Sequence, residues 1–213
     1  MPIDPIEIAI RIVKLTCENI KDKKVAMCSF GKDSILMLQI FKLANCLDKI
    51  KIEYPNSGFD LPGISYNFKK YVEKFFSCNI EPFNVIEAGW NFENHSTQEM
   101  MLCKAKMLNN RINNKNYKVC FTGIRRDEEG TRAKEKFFSP RNKDGSFDYL
   151  IPQEEIFNNE LDLSIIEKYP QIRVNPLLDL CEADIWYATK YFNLPVCSEY
   201  FSNNGYRYRS LGD

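Results

Sequence analysis

The stretch that most restricts what this chain can fold into is residues 23–45. KKVAMCSF (23–30) is short and apolar, GKDS (31–34) is a glycine turn, and ILMLQIFKLAN (35–45) is an apolar run of helix length. A buried strand that turns at one glycine into a helix is the opening of a βαβ unit. The pattern then repeats. IKIEY (50–54) reads as a strand, PNSGFDLPG (55–63) as its loop and ISYNFKKYVEKFF (64–76) as a helix. NIEPFNVIEA (79–88) contains a strand frayed by Pro82, TQEMMLCKAKMLNNRI (97–112) is helical, and YKVCFTG (117–123) is a strand that ends at a glycine.

Alternation of this kind predicts an α/β fold. The expected form is a Rossmann-like three-layer sandwich, a mostly parallel five-stranded sheet with helices on both faces. Ligands of such sheets sit at the carboxyl ends of the strands. Here those ends are 29–34, 56–61 and 123–127, so three loops distant in sequence should converge on one crevice. A helix starting at Pro5, capped by Asp4, precedes the first strand. Residues 124–148 are charged and read as a long functional loop, and 149–170 are acidic. IRVNPLLDL (172–180) is strand plus turn, and EADIWYATKYF (182–192) is a helix whose Trp186 and Tyr187 are expected in the core. Residues 1–180 are read as one nucleotide-binding domain, with 181–213 a helix and irregular tail packed on it.

Composition excludes several classes. Twenty-nine basic residues balance 29 acidic ones, so the chain as a whole is no polycation. No apolar run reaches the ~18–20 residues that span a bilayer, and the first thirty residues lack a signal-peptide core. A cytoplasmic location is the expectation. Fifteen Phe and 11 Tyr supply the apolar surface that a disordered chain lacks. The eight cysteines are spread out, the closest two 11 positions apart, and His95 is the only histidine. With no CxxC or CC pair, zinc and iron–sulfur sites are not expected, and the cysteines read as buried free thiols. His95 reads as a surface loop residue.

The glycine loop is neither GxxxxGK[ST] nor GxGxxG. It reads Ser29-Phe30-Gly31-Lys32-Asp33-Ser34. Gly31 allows a sharp turn, the free N–H groups of the next helix favour a phosphate, and Lys32 adds a point charge. From these parts alone a phosphate site and a merely capped turn stay open.

The whole string S-x-G-K-D-S, between an apolar strand and an apolar helix, resembles the PP-loop of the ATP pyrophosphatase-like enzymes, a family that includes the PAPS reductases. Asn56-Ser57-Gly58 with Leu61-Pro62 resembles the DTGxxFPE loop of that family. Thr122-Gly123-Ile124-Arg125-Arg126-Asp127-Glu128-Glu129, then Thr131-Arg132-Ala133-Lys134-Glu135 and Phe138-Ser139-Pro140-Arg141, is similar to a block of the ATP sulfurylase small-subunit family (sulfate adenylyltransferase subunit 2). Arg173-Val174-Asn175-Pro176-Leu177, Asp184-Ile185-Trp186 and Tyr208-Arg209-Ser210-Leu211-Gly212 continue it in order.

The resemblance implies an adenine nucleotide alpha hydrolase-like fold and a nucleotidyltransferase that uses ATP and Mg2+. It implies transfer of the adenylyl group to sulfate, with release of pyrophosphate. The implied nucleotide-binding residues are Ser29, Phe30, Gly31, Lys32, Asp33, Ser34, Asn56, Ser57, Gly58 and Gly123. Lys32, Arg125 and Arg126 are the implied catalytic cations. Arg132, Lys134, Arg207 and Arg209 would meet the anionic substrate. Asn56 and Gly63 stand where the family has acidic residues, which weakens any metal or nucleotide contact at those points. The implied partner is a GTPase large subunit or a second copy of the chain. The chain stops short of the family's last segment, which leaves the large-subunit contact open.

Arginines after a strand end suit phosphate or sulfate oxygens through their planar fork. Asp127, Glu128 and Glu129 would hold them or lie solvated. Lys104, Lys106 and Arg111 add to a basic middle that suits a small anion and would also suit RNA. Other readings stay open. A PAPS or adenylyl-sulfate reductase would normally carry an ECGxH-type tail or a four-cysteine cluster, and neither is present. FAD synthase, a nucleic-acid thiolation enzyme and a non-catalytic nucleotide-binding subunit complete the set.

Overall fold

The computed structural model of the chain describes residues 4–58, 61–85, 96–128, 132, 135–146, 168–202 and 204–211. Helix α1 spans Pro5–Asn19, and its start follows the sequence chemistry. Asp4 Oδ1 accepts the Ile6 N–H at 2.9 Å, and Pro5 occupies the first turn, where no donor is needed. Its inward stripe is Ala9, Ile12, Val13, Thr16 and Cys17.

Strand β1 (Lys24–Met27) leads into α2 (Lys32–Leu43). Then come β2 (Lys51–Asn56), α3 (Tyr66–Phe76), β3 (Ile80–Asn84), α4 (Thr97–Lys115) and β4 (Val119–Phe121). Strands β5 (Phe138–Arg141) and β6 (Gln171–Val174) and helix α5 (Glu182–Tyr191) complete the described strands and α-helices. The sheet order is β3-β2-β1-β4-β6-β5. All neighbours are parallel except β5, which runs antiparallel to β6.

That order fixes where the helices go. From β1 the chain steps outward through α2 and α3 to β3, then returns past β1 through α4 to β4. Crossovers of one hand put helices on opposite faces when the direction of travel reverses. One continuous core joins α1, α2, α3 and α5 to Ala26, Ile52, Phe121 and Val174. On the other face Ile112 and Tyr117, from the end of α4 and the turn after it, meet Val25 and Cys120.

The α4 face is unusually polar. Glu53 on β2 is fully buried, and Arg111 of α4 donates to both its oxygens at 3.0 and 2.9 Å. The Tyr117 hydroxyl adds a third bond at 2.7 Å. Burial, then Glu53, pushes the Tyr117 phenol well above its usual range. Arg111 also reaches Glu81 at 2.9 Å. This arginine, expected in a basic surface for an anionic ligand, is instead consumed inside the fold.

Two further expectations differ. Among the described residues the sheet has six strands, because Phe138–Arg141, expected within a loop, pairs with β6. FSPR is only four residues long and contains a proline. Pro140 is tolerated because β5 is an edge strand, and Pro82 sits in the other edge strand for the same reason. Tyr187 is 72% exposed rather than in the core. The inward stripe of α5 is Ile185, Ala188 and Thr189, so Tyr187 projects outward and stacks on Tyr191. Trp186 packs edge-on against Tyr200, their ring centres 5.2 Å apart. His95 lies outside the described residues.

Candidate active site

The change of direction at β1 leaves a crevice between the carboxyl ends of β1 and β4, where α2 and α4 diverge to opposite faces. Two of the three loops expected to converge do so there, while the third, 56–61, includes residues 59 and 60, which lie outside the described residues. A Cβ added to Gly123 would sit 3.6 Å from the Asp33 carbonyl carbon and 3.7 Å from the Ser34 amide nitrogen. The glycine after β4 thus lets that strand end lie against the first turn of α2.

The 29–34 loop is tight. Phe30 adopts φ 62°, a left-handed conformation that costs a bulky residue about 1–2 kcal/mol. Its ring is buried edge-on to Tyr54, centres 5.1 Å apart, which holds the turn in place. Gly31 caps α2 with no side-chain bond, and Lys32 is the first helical residue. The Ser34 hydroxyl donates to the Gly31 carbonyl at 3.0 Å. Ser29 and Ser34 Oγ atoms are 3.5 Å apart. Beneath the loop, burial pushes the Cys28 thiol up to about 12, so it remains protonated.

Lys32 is buried, and its ammonium has protein partners. Nζ lies 3.2 Å from Asp33 Oδ2 and donates to the Arg209 carbonyl at 2.9 Å. Asp33 in turn binds Arg125, whose side chain is only 2% exposed. Arg125 Nε reaches Asp127 Oδ1 at 2.8 Å. Asp127 Oδ2 accepts the Glu182 N–H at 3.0 Å, which caps α5 from outside the helix. Glu182 Oε2 accepts from Arg209 Nε at 3.0 Å. The chain of contacts therefore closes on itself: Lys32, Asp33, Arg125, Asp127, Glu182, Arg209 and back to Lys32. Burial works to lower the Arg125 pKa, but Asp127 and Asp33 outweigh it and the net direction is up. The guanidinium stays charged as the hub of this ring.

The other expected residues are distributed differently. Asn56 Oδ1 accepts the Gly58 N–H at 2.9 Å, closing a turn at the end of β2 around Ser57. Arg126 points away from Arg125. It pairs with Asp179, donates to the Glu135 carbonyl at 3.3 Å and lies over the Phe137 ring. Arg132 pairs with Glu128, so Glu128 is not simply solvated. It also accepts the Arg125 N–H at 3.4 Å. Arg207 is exposed. Lys134 lies outside the described residues. The sequence reading missed Tyr200, Glu182 and the Leu211 carbonyl as site components. Tyr200 and Leu211 come from an irregular stretch whose periodicity says nothing about where it lands, and Glu182 opens a helix whose pattern says nothing about which loop its first turn meets.

Among the described residues, no group of three or more His, Cys, Asp or Glu is placed to hold a metal ion. The carboxylates nearest the loop, Asp33 and Asp127, already bind cationic side chains. Among the described residues, the donor set does not fit a magnesium ion held by the protein itself. All eight cysteines are free thiols. No helix among the described residues is long and apolar enough to cross a membrane.

A mostly parallel sheet with this switch-point loop is a nucleotide-fold arrangement, and comparison with known proteins agrees. Residues 23–213 match the phosphoadenosine phosphosulfate reductase domain, and the chain belongs to that family. Sulfate adenylyltransferase subunit 2 of Aliivibrio fischeri (strain MJ11) is 30% identical over 192 residues, covering 85% of this chain and 61% of that one. The protein of the same description from Sulfurimonas denitrificans is 31% identical over 191 residues, with the same coverage. This chain thus spans about three-fifths of the length of these relatives. Among solved structures, a phosphoadenylyl-sulfate (PAPS) reductase from Candida auris, in a phosphate complex, has TM-score 0.63 at 11% identity and covers 100% of this chain and 89% of its own. The U34-tRNA thiolase NcsA from Methanococcus maripaludis has TM-score 0.58 at 13% identity, over 95% and 68%. At those identities the two structures share the fold.

Proposed function

We propose that the protein is a nucleotidyltransferase that binds ATP at the 29–34 loop and transfers its adenylyl group to sulfate. The observation that carries this reading is the juxtaposition of Gly31–Ser34, at the start of α2, with Gly123 at the end of β4. Such a helix start presents free N–H groups and the positive end of the helix dipole to a phosphate. The sulfate adenylyltransferase subunit 2 relatives supply the acceptor.

The chemistry asks little of a general base. A sulfate oxygen is already anionic. It attacks the α-phosphorus, the bond to the bridging oxygen breaks, and that electron pair leaves with pyrophosphate. The barrier is charge repulsion and alignment, so fixed cations and helix dipoles lower it. Lys32 and the α2 amides would hold the leaving pyrophosphate. Arg125, enclosed by Asp33 and Asp127, acts as a positioning residue that fixes the loop against the turn after β4. A large-subunit or second-copy partner belongs to the same reading.

The test is release of pyrophosphate from ATP, measured with sulfate, flavin mononucleotide and tRNA in parallel. Sulfate-dependent release supports the reading. Release driven only by another acceptor replaces it.

A further inference from the structure

The start of α2 is already covered. Tyr200 Oη accepts the Lys32 N–H at 3.0 Å, using a first-turn amide that a phosphate oxygen would otherwise take. The Arg209 carbonyl accepts from Lys32 Nζ at 2.9 Å, using the loop's one cation. The Leu211 carbonyl and Tyr200 Oη would each lie 3.2 Å from a Cβ placed on Gly31. Tyr200 and the 204–211 segment, through Arg209 and Leu211, therefore lie across the very groups that could cradle a polyphosphate.

We infer that this segment is a strap that polyphosphate must displace, and that it makes the loop selective for polyanions. The inference rests on reading 29–34 as the phosphate cradle, and goes beyond it by assigning a competitor. The atoms that occupy these donors are neutral, a phenol whose pKa burial raises and backbone carbonyls, although the same segment carries the charged Arg207 and Arg209. A phosphate oxygen makes charge-assisted bonds to the same donors, which are roughly twice as strong as neutral ones. A triphosphate or pyrophosphate can thus evict the strap, whereas an uncharged nucleoside cannot. Between its ends the strap is held, besides the Lys32 contact, by a backbone bond from the Tyr208 N–H to the Glu199 carbonyl at 3.1 Å and by one ion pair among the described residues. Its ion pair, Arg209 to Glu182, involves an arginine side chain 76% exposed, and such pairs contribute little. Phe201 and Tyr206 are 63% and 84% exposed, so much of the segment buries little apolar surface. Leu211, 4% exposed, and Tyr200, against Trp186, are the anchors at its ends.

The experiment uses the full chain, with ATP, inorganic pyrophosphate and adenosine as probes. It reads dissociation constants and amide hydrogen exchange of residues 206–211. Tyr200→Phe keeps the ring and removes the acceptor, and Leu211→Ala loosens the other anchor. Both should tighten ATP by about fivefold, the size of one net hydrogen bond, because the free state loses a competing contact. ATP and pyrophosphate should speed exchange in 206–211, and adenosine should not. If ATP binds the wild type and slows exchange there, the segment closes over the ligand and the competition is overturned. If ATP binds wild type and variants equally with unchanged exchange, the strap fails while the nucleotide reading stands. If ATP binds none of the three proteins, the nucleotide reading fails and the strap with it.

Discussion

Arg125, in the turn after β4, reaches Asp33 in the first turn of α2 and, through Nε, Asp127 two residues along its own turn at 2.8 Å. One planar side chain, only 2% exposed, thus fastens together the two loops that border the crevice. Its charge faces carboxylates, which makes it a rivet of the site.

Arg125→Lys keeps the charge and loses the two-pronged geometry. The substitution should cost about 1–3 kcal/mol of folding stability, because one charged hydrogen bond from a buried cation to a partly exposed carboxylate is left unmade. Turnover should fall at least about tenfold, roughly 1.4 kcal/mol of barrier, as the loops lose alignment. Arg126→Lys is the comparison. Arg126 and Asp179 are 39% and 40% exposed, and the change should alter stability by no more than about 1 kcal/mol. Denaturant unfolding and steady-state kinetics of both variants check this. Equal effects would make Arg125 part of an ordinary charged surface.

Lys32→Ala should weaken ATP binding by at least about tenfold and leave adenosine within about twofold, since the ammonium contacts only phosphate in the proposed complex. Calorimetric titration with the two ligands measures the ratio. Equal loss for both, or none for either, would move the phosphates away from this loop.

Asp127 makes stability depend on pH. Burial works to raise its carboxyl, but Arg125 and the Glu182 N–H outweigh it and hold it below the ordinary 3.8. A group depressed in the folded state contributes fully above its unfolded pKa. The contribution is lost as pH falls below about 3.8 toward the folded value, because the unfolded chain takes up the proton first. Asp127→Asn should therefore flatten the stability profile below about pH 4 and lower stability at neutral pH. Urea midpoints from pH 3 to 7 for the two proteins test the difference. Parallel profiles would mean that another carboxylate carries the acid limb.

Arg111→Leu removes the bidentate partner of Glu53, which is fully buried in β2. An uncompensated charge there should cost about 3–5 kcal/mol. Glu53→Gln combined with Arg111→Leu should recover part of that loss, since a neutral amide that still accepts from the Tyr117 hydroxyl is cheaper to bury than a stranded carboxylate. Thermal melts of the single and double variants give the coupling. Simple additivity would mean that Glu53 and Arg111 do not act as a pair.

Much of the architecture was legible because the signals are local. The apolar run before Gly31, the helix-length run after it and the glycine at the end of the 117–123 strand each depend on a few neighbouring residues. They determine strand, turn and helix wherever they occur. Alternation of those units then determined a parallel sheet, and with it the end of the sheet where folds of this kind bind ligands. The SFGKDS string marked the loop within that end.

What tertiary structure alone decided is which charges meet. Arg125 and Arg126 are adjacent in sequence, yet one is buried between Asp33 and Asp127 and the other lies outside against Asp179. Arg111 was legible as a cation but not as the partner of Glu53, 58 residues away. FSPR became an edge strand only because β6 offered it a partner. Tyr200 reached the Lys32 amide across 168 positions of chain. Hydrophobic periodicity reports which face of an element is buried. It carries no information on pairing between polar groups, whose energies depend on distances of a few ångströms that only the packed sheet and helices set.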